Sequence, residues 1–90
     1  MPTKHLQIKG KVQGVFYRAS AKETAATTGV TGWIKNMPEG DVGAVISGTE
    51  EQLRNFIEWC KTGPEKAIVT GVIVTDLEEA SFGGFSIVRK

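Results

Sequence analysis

Arg18 and Asn36 are the side chains whose type and setting could do chemistry in this 90-residue chain. Arg18 ends the run Gly10-Lys11-Val12-Gln13-Gly14-Val15-Phe16-Tyr17-Arg18. Its guanidinium is a planar fork of donors that fits a tetrahedral oxyanion. Gly14 lets the backbone turn through a positive φ without a Cβ penalty. Successive N–H groups of such a turn can point into one concavity, and the free N–H groups of a first helical turn point the same way. Together these features describe a phosphate or carboxylate cradle at a helix start. The plainer alternative is an ordinary glycine turn with Arg18 in a surface salt bridge. Asn36 is polar in a stretch that holds Trp33, Ile34 and Met37, and asparagine disfavours strands. Its amide carries a donor and an acceptor that do not titrate near neutrality, so it suits holding a water with an oxygen lone pair aimed at an electrophile. The alternative is an Asx-type contact leading into the turn at Pro38.

The remaining residues narrow the reaction. The pattern offers no Cys/His pair, no Ser/His/Asp set and no Gly-rich dinucleotide or Walker motif. His5 is the only imidazole, read as exposed near the terminus and uninvolved. No cluster of Cys, His and Asp has metal-ligand spacing, so neither metal nor cofactor is expected. A site without a strong base needs a substrate that is already activated. An acyl phosphate qualifies, because its leaving group is a weakly basic carboxylate. Its hydrolysis needs positioning and charge stabilisation more than proton abstraction.

Several elements must place these two residues. Residues 4–12 alternate as a strand, with Leu6, Ile8 and Val12 on one face and His5, Gln7, Lys9 and Lys11 on the other. A turn at 13–17 leads to a helix over 18–28 that stops at Gly29, with Ala21, Ala25 and Thr28 inward, joined by Tyr17 or Ala26. Val30–Met37 reads as a second strand, with Ile34 and Asn36 sharing a face. Pro38-Glu39-Gly40-Asp41 is a turn signal, and Val42–Ser47 completes a hairpin. Thr49 and Gln52 form a capping-box pattern for a second helix, whose buried stripe is Leu53, Phe56, Ile57 and Cys60 with Trp59 at its edge. Lys61-Thr62-Gly63-Pro64 supplies a cation in the last turn and then the stop. Residues 67–76 and 85–89 read as strands. Right-handed crossovers then put both helices on one face of the sheet. The predicted fold is an α/β plait of the ferredoxin-like kind: a mostly antiparallel sheet of four strands plus a short C-terminal strand, with two helices on one face.

Ninety residues fit a single domain, residues 1–90. Apolar residues at 40% and charged residues at 23% match an ordinary soluble globule, not a disordered chain. There is no apolar run of the ~20 residues a bilayer span needs, and from Met-Pro-Thr-Lys-His followed by strand no signal segment is expected. Cys60 is alone, so no internal bridge is expected, which a reducing cytoplasm permits. The expected setting is therefore a cytoplasmic monomer without a membrane partner. The net charge of +1 is too small to argue for nucleic acid. Lys4, Lys9, Lys11, Arg18 and Lys22 nevertheless all precede the first acidic residue, Glu23, which biases the glycine turn toward small anions.

The run from Gly10 to Arg18, followed by Gly32-Trp33-Ile34-Lys35-Asn36-Met37-Pro38-Glu39-Gly40, resembles the two signatures of the acylphosphatase family. Ile57-Glu58-Trp59-Cys60-Lys61-Thr62-Gly63-Pro64 and Phe85-Ser86-Ile87 are similar to that family as well. The resemblance implies an α/β plait that hydrolyses an acyl phosphate to a carboxylate and inorganic phosphate without a metal. It implies that the backbone of Gln13, Gly14, Val15, Phe16, Tyr17 and Arg18, with the Arg18 side chain, holds the phosphoryl oxygens. Asn36 would orient the attacking water, and the substrate's own phosphate would take the proton. Two departures are mild: Gly43 stands where the family often has an acidic residue, and residues 65–67 are atypical. The competing class is a non-catalytic plait that binds a phosphate-bearing ligand, a partner or single-stranded RNA. RNA readers place aromatics on the open face of central strands, and the first and third strands here offer none. No stretch forms an obvious pocket for the acyl part.

Overall fold

The period-two pattern of the N-terminal segment becomes strand β1 (Thr3–Lys11), and its inward residues Leu6 and Ile8 are fully buried. In this computed structural model, which describes residues 1–89, the order continues with α1 (Tyr17–Thr28), β2 (Thr31–Asn36), β3 (Val42–Ser47), α2 (Glu50–Cys60), β4 (Ile68–Leu77) and β5 (Phe85–Val88). The five strands form one sheet in the order β4-β1-β3-β2-β5. Four pair antiparallel, and β5 pairs parallel to β2. This is the ferredoxin-like plait, with both helices on one face.

The element boundaries differ from the sequence expectation by a residue or two, for local reasons. Helix α1 begins at Tyr17, not 18, because Phe16 takes the N-cap position and its carbonyl accepts from the Ser20 N–H at 3.0 Å. Strand β2 is shorter than 30–37 because Met37 already belongs to the turn, its N–H donating to the Asp41 carbonyl at 2.8 Å. Strand β1 ends at Lys11, β4 is shifted to 68–77, and β5 stops at Val88. A bulge between Lys9 and Gly10 changes the β1–β4 register, and Gly10 has φ 125 there. A Cβ on Gly10 would lie 2.1 Å from the Ile68 carbonyl oxygen, so this close approach requires glycine.

One core fills the space between the sheet and the helices. On α1, Tyr17, Ala21 and Ala25 are buried, Thr28 is half-buried and Ala26 is exposed, so Tyr17 and not Ala26 completes the inner face. Three small side chains let the helix lie close to the sheet. Gly29 ends α1 in a left-handed conformation and returns its N–H to the Ala25 carbonyl at 2.8 Å. On α2, Leu53, Phe56 and Cys60 are buried and Ile57 and Trp59 pack at the rim. The capping box forms as expected: the Gln52 N–H donates to Thr49 Oγ1 at 3.1 Å, and the Thr49 N–H donates to Gln52 Oε1 at 2.9 Å. Lys61 lies at the C-cap position, one residue past the last turn where a cation was expected.

The other face of the sheet is open. Gln7 and Lys9 lie there with Asp41 between them, Gln7 Nε2 donating to Asp41 Oδ2 at 2.7 Å. His5 is half-buried on this face, not exposed, and is paired in the sheet with Val45 and Thr75. Gly43 is explained here as well: a Cβ would come 2.9 Å from Met37 Sδ, so the methionine occupies the space that a side chain would need. The ten-residue strand β4 forms one edge of the sheet, with Ile68, Ile73, Val74 and Leu77 exposed.

Candidate active site

The connection between β1 and α1 is pinned by alternate residues. Val15 and Tyr17 are buried, while Gly14 and Phe16 face outward, Phe16 with 78% of its surface exposed. Tyr17 is the firmer anchor. Its hydroxyl donates to the Cys60 carbonyl at 2.7 Å, and its ring lies 5.2 Å from that of Trp59. The first residue of α1 is thereby tied to the end of α2. Burial pushes the Tyr17 hydroxyl well above its ordinary range, so it acts as a fixed donor and not as a proton shuttle. Burial likewise pushes the Cys60 thiol up to about 12, which removes it as a nucleophile.

Between these anchors the backbone passes through two left-handed residues, Gly14 (φ 73) and Phe16 (φ 65). Phe16 is the one non-glycine residue with positive φ among the described residues, a conformation that costs about 1–2 kcal/mol for an L side chain. Turns of this kind aim successive N–H groups into a nest. Among the described residues, none of the N–H groups from Gly14 to Ala19 donates to a backbone carbonyl. Of this run, Gly14, Phe16, Tyr17, Arg18 and Ala19 line a pocket of about 320 Å³ together with Asn36.

Arg18 and Asn36 therefore meet in one pocket although they are eighteen positions apart. The topology does this: β1 and β2 run parallel with β3 between them, so the residues following β1 and the end of β2 reach the same rim. Neither side chain has a hydrogen bond or ion pair among the described residues, so neither plainer alternative, a salt bridge for Arg18 or an Asx contact for Asn36, is seen. Gln13 and Val15 do not line the pocket. Val15 is a buried support. The side-chain amide of Gln13 turns to the β2–β3 connection, donating to the carbonyls of Met37 at 2.9 Å and Asp41 at 2.8 Å.

Four further residues line the pocket that sequence reasoning did not place there: Val12, Ala19, Ile87 and Arg89. Arg89 also shares a smaller pocket of about 230 Å³ with Arg18, Asn36 and Val88. Ile34 pairs with Ile87 and Lys35 with Val88, and the same parallel register sets Arg89 beside Asn36. Only the pairing of β5 with β2 reveals this, since nothing in the local sequence marks Arg89. Among the described residues no three His, Cys, Asp or Glu side chains gather as a metal site would, and no helix is long and apolar enough to cross a membrane.

Comparison with known proteins gives these features a lineage. The family described as acylphosphatase matches residues 4–87. An acylphosphatase of Marinobacter nauticus is 48% identical over 73 residues, covering 81% of this chain and 79% of that one. An acylphosphatase of Haloquadratum walsbyi is 45% identical over 85 residues, covering 94% and 91%. The crystal structure of acylphosphatase from Bacillus subtilis superposes with a TM-score of 0.94 at 32% identity, covering 98% of this chain and 99% of that one. With the match running from β1 into β5 and the fold shared over nearly its whole length, this chain belongs to the acylphosphatase family.

Proposed function

We propose that Arg18, Asn36 and the backbone amides from Gln13 to Arg18 carry out the hydrolysis of acyl phosphates, with Arg89 as a second cation at the site. The chain is an acylphosphatase by family, and the assignment of roles follows from the chemistry that each group offers. The observation that carries it is the meeting at one pocket of Arg18 and Asn36, two side chains without partners among the described residues, with loop amides that donate to no backbone carbonyl among them.

The phosphoryl oxygens of R–CO–O–PO₃²⁻ accept from the loop amides and the Arg18 guanidinium. Charge that develops on them in the transition state is met by donors already in place, so little reorganisation is required. Asn36 holds a water by hydrogen bonding and directs a lone pair at phosphorus. The water oxygen–phosphorus bond forms as the phosphorus–carboxylate oxygen bond breaks, and that electron pair leaves on the carboxylate. Both water protons stay with the phosphoryl group, giving RCOO⁻ and H₂PO₄⁻. The substrate's own phosphate takes the proton, so no side-chain base is needed. The protein we propose is a cytoplasmic monomer acting on a small anionic substrate, with inorganic phosphate as product and competing ligand.

A benzoyl phosphate assay with EDTA present tests the assignment. Arg18→Ala removes charge-assisted hydrogen bonds worth about 1.5–3 kcal/mol each, and losing two predicts a rate fall of ~10²–10⁴-fold. Arg89→Ala raises KM more than it lowers kcat. A folded Arg18→Ala protein that turns over at the parent rate would overturn the assignment.

A further inference from the structure

The phosphate pocket opens in two directions of opposite chemistry. One continuation, of about 230 Å³, is bounded by Arg18, Asn36, Val88 and Arg89. The other is a groove of about 650 Å³ between α1 and β5, with walls that include Ala19, Ala25, Ala26, Val30, Phe85 and Ile87. Ala19 and Ile87 belong to both the phosphate pocket and the groove, so the two are continuous. Lys22 and Glu23 are the only charged residues along the groove among the described residues, and their charges cancel.

The groove exists because side chains are missing from the helix side. Ile87 pairs with the fully buried Ile34 and shares its face, yet Ile87 and Phe85 are only partly buried. The alanines of α1 opposite them are too short to cover them. An apolar cleft of this size is typical of small-molecule sites.

We propose that this groove is the subsite for the acyl chain, and that the substrates are acyl phosphates with an apolar acyl group. The inference rests on the hydrolase reading above. In-line displacement puts the attacking water and the departing carboxylate on opposite sides of phosphorus. The polar continuation contains Asn36, which holds the water. The apolar continuation is left for the carbon chain of the leaving group.

Acetyl phosphate and hexanoyl phosphate test this, because their leaving carboxylates are equally basic and only the chain differs. Each half-buried methylene is worth about twofold, so the parent protein is expected to favour hexanoyl phosphate in kcat/KM on the order of tenfold. Ala26 is exposed on α1, so Ala26→Leu, which fills the groove, and Ala26→Glu, which charges it, both leave the fold intact by circular dichroism. Each lowers the hexanoyl-to-acetyl ratio about fivefold or more. A parent ratio near one, or a ratio that neither substitution moves, overturns the acyl subsite while leaving the hydrolase assignment standing. Failure of the parent to hydrolyse either compound overturns both.

Discussion

The side-chain amide of Gln13 donates to the Met37 carbonyl at 2.9 Å, which joins the β1–α1 loop to the residue that follows Asn36. A second bond to the Asp41 carbonyl, at 2.8 Å, ties the same amide to the far side of the turn. One side chain thereby sets the spacing between the β1–α1 loop and Asn36. Gln13→Ala removes both bonds and leaves each carbonyl with only its backbone donor, the Gly40 N–H for Met37 and the Met37 N–H for Asp41. The expected result is a stability loss of about 1–3 kcal/mol by urea denaturation. In the benzoyl phosphate assay kcat falls at least tenfold even well below the unfolding midpoint, because a displacement of about 1 Å at a reacting centre is costly.

Asn36→Ala separates binding from turnover. The cradle and Arg18 stay in place, so inhibition by inorganic phosphate is retained within about threefold, while kcat falls on the order of 10²-fold. Phosphate inhibition constants and single-turnover rates measured on the same preparation check this. Parallel losses in both would make Asn36 a part of the cradle's shape.

Phe16 holds its left-handed backbone at a cost, and its side chain makes little contact in return. Asparagine tolerates that left-handed conformation better than phenylalanine does. Phe16→Asn is therefore expected to raise stability by about 0.5–1 kcal/mol while keeping the loop amides in place. A shift of the urea midpoint to higher concentration with an unchanged m-value is the expected reading.

Alkaline pH should unfold this protein from within. The Cys60 thiol is pushed from 9.0 up to about 12, and the Tyr17 hydroxyl is also raised, both by burial. The folded state holds these protons to higher pH than the unfolded chain does. Their contribution to stability is complete below pH 9 and is lost as pH climbs toward 12, at about 1.4 kcal/mol per pH unit for each group in its window. Urea midpoints at pH 8, 9.5 and 11 should fall in that order. Cys60→Ala should begin lower at pH 8 and decline less steeply.

The sequence carried the helices and central strands well because each announces itself locally. Leu6 and Ile8 alternate, Leu53, Phe56 and Cys60 recur at helical spacing, and Thr49 with Gln52 closes its box. Arg18 and Asn36 were legible as chemistry, but their meeting depends on β1 and β2 running parallel on either side of β3. Arg89 was not legible at all, since a terminal arginine after two apolar residues carries no local mark. The bulge at Gly10 escaped for the same reason: what forbids a Cβ there is the Ile68 carbonyl, fifty-eight positions away. Nor does a run of alanines reveal a groove until β5 is laid opposite it.

The exposed border along β4 has a cost of its own. Ten residues rich in valine, isoleucine and threonine leave one row of backbone donors and acceptors unsatisfied, with Ile68 and Ile73 beside them. Such a border is a template on which a neighbouring molecule can add itself as the next strand. At one end of it Asp76 is paired with Lys4 and Glu79 with the N-terminal ammonium, so that the border there carries both signs of charge. Exposed pairs of this kind are screened by concentrated salt, so what is left to promote stacking of molecules through this rim is the apolar surface of Ile68 and Ile73 and the open row of backbone groups.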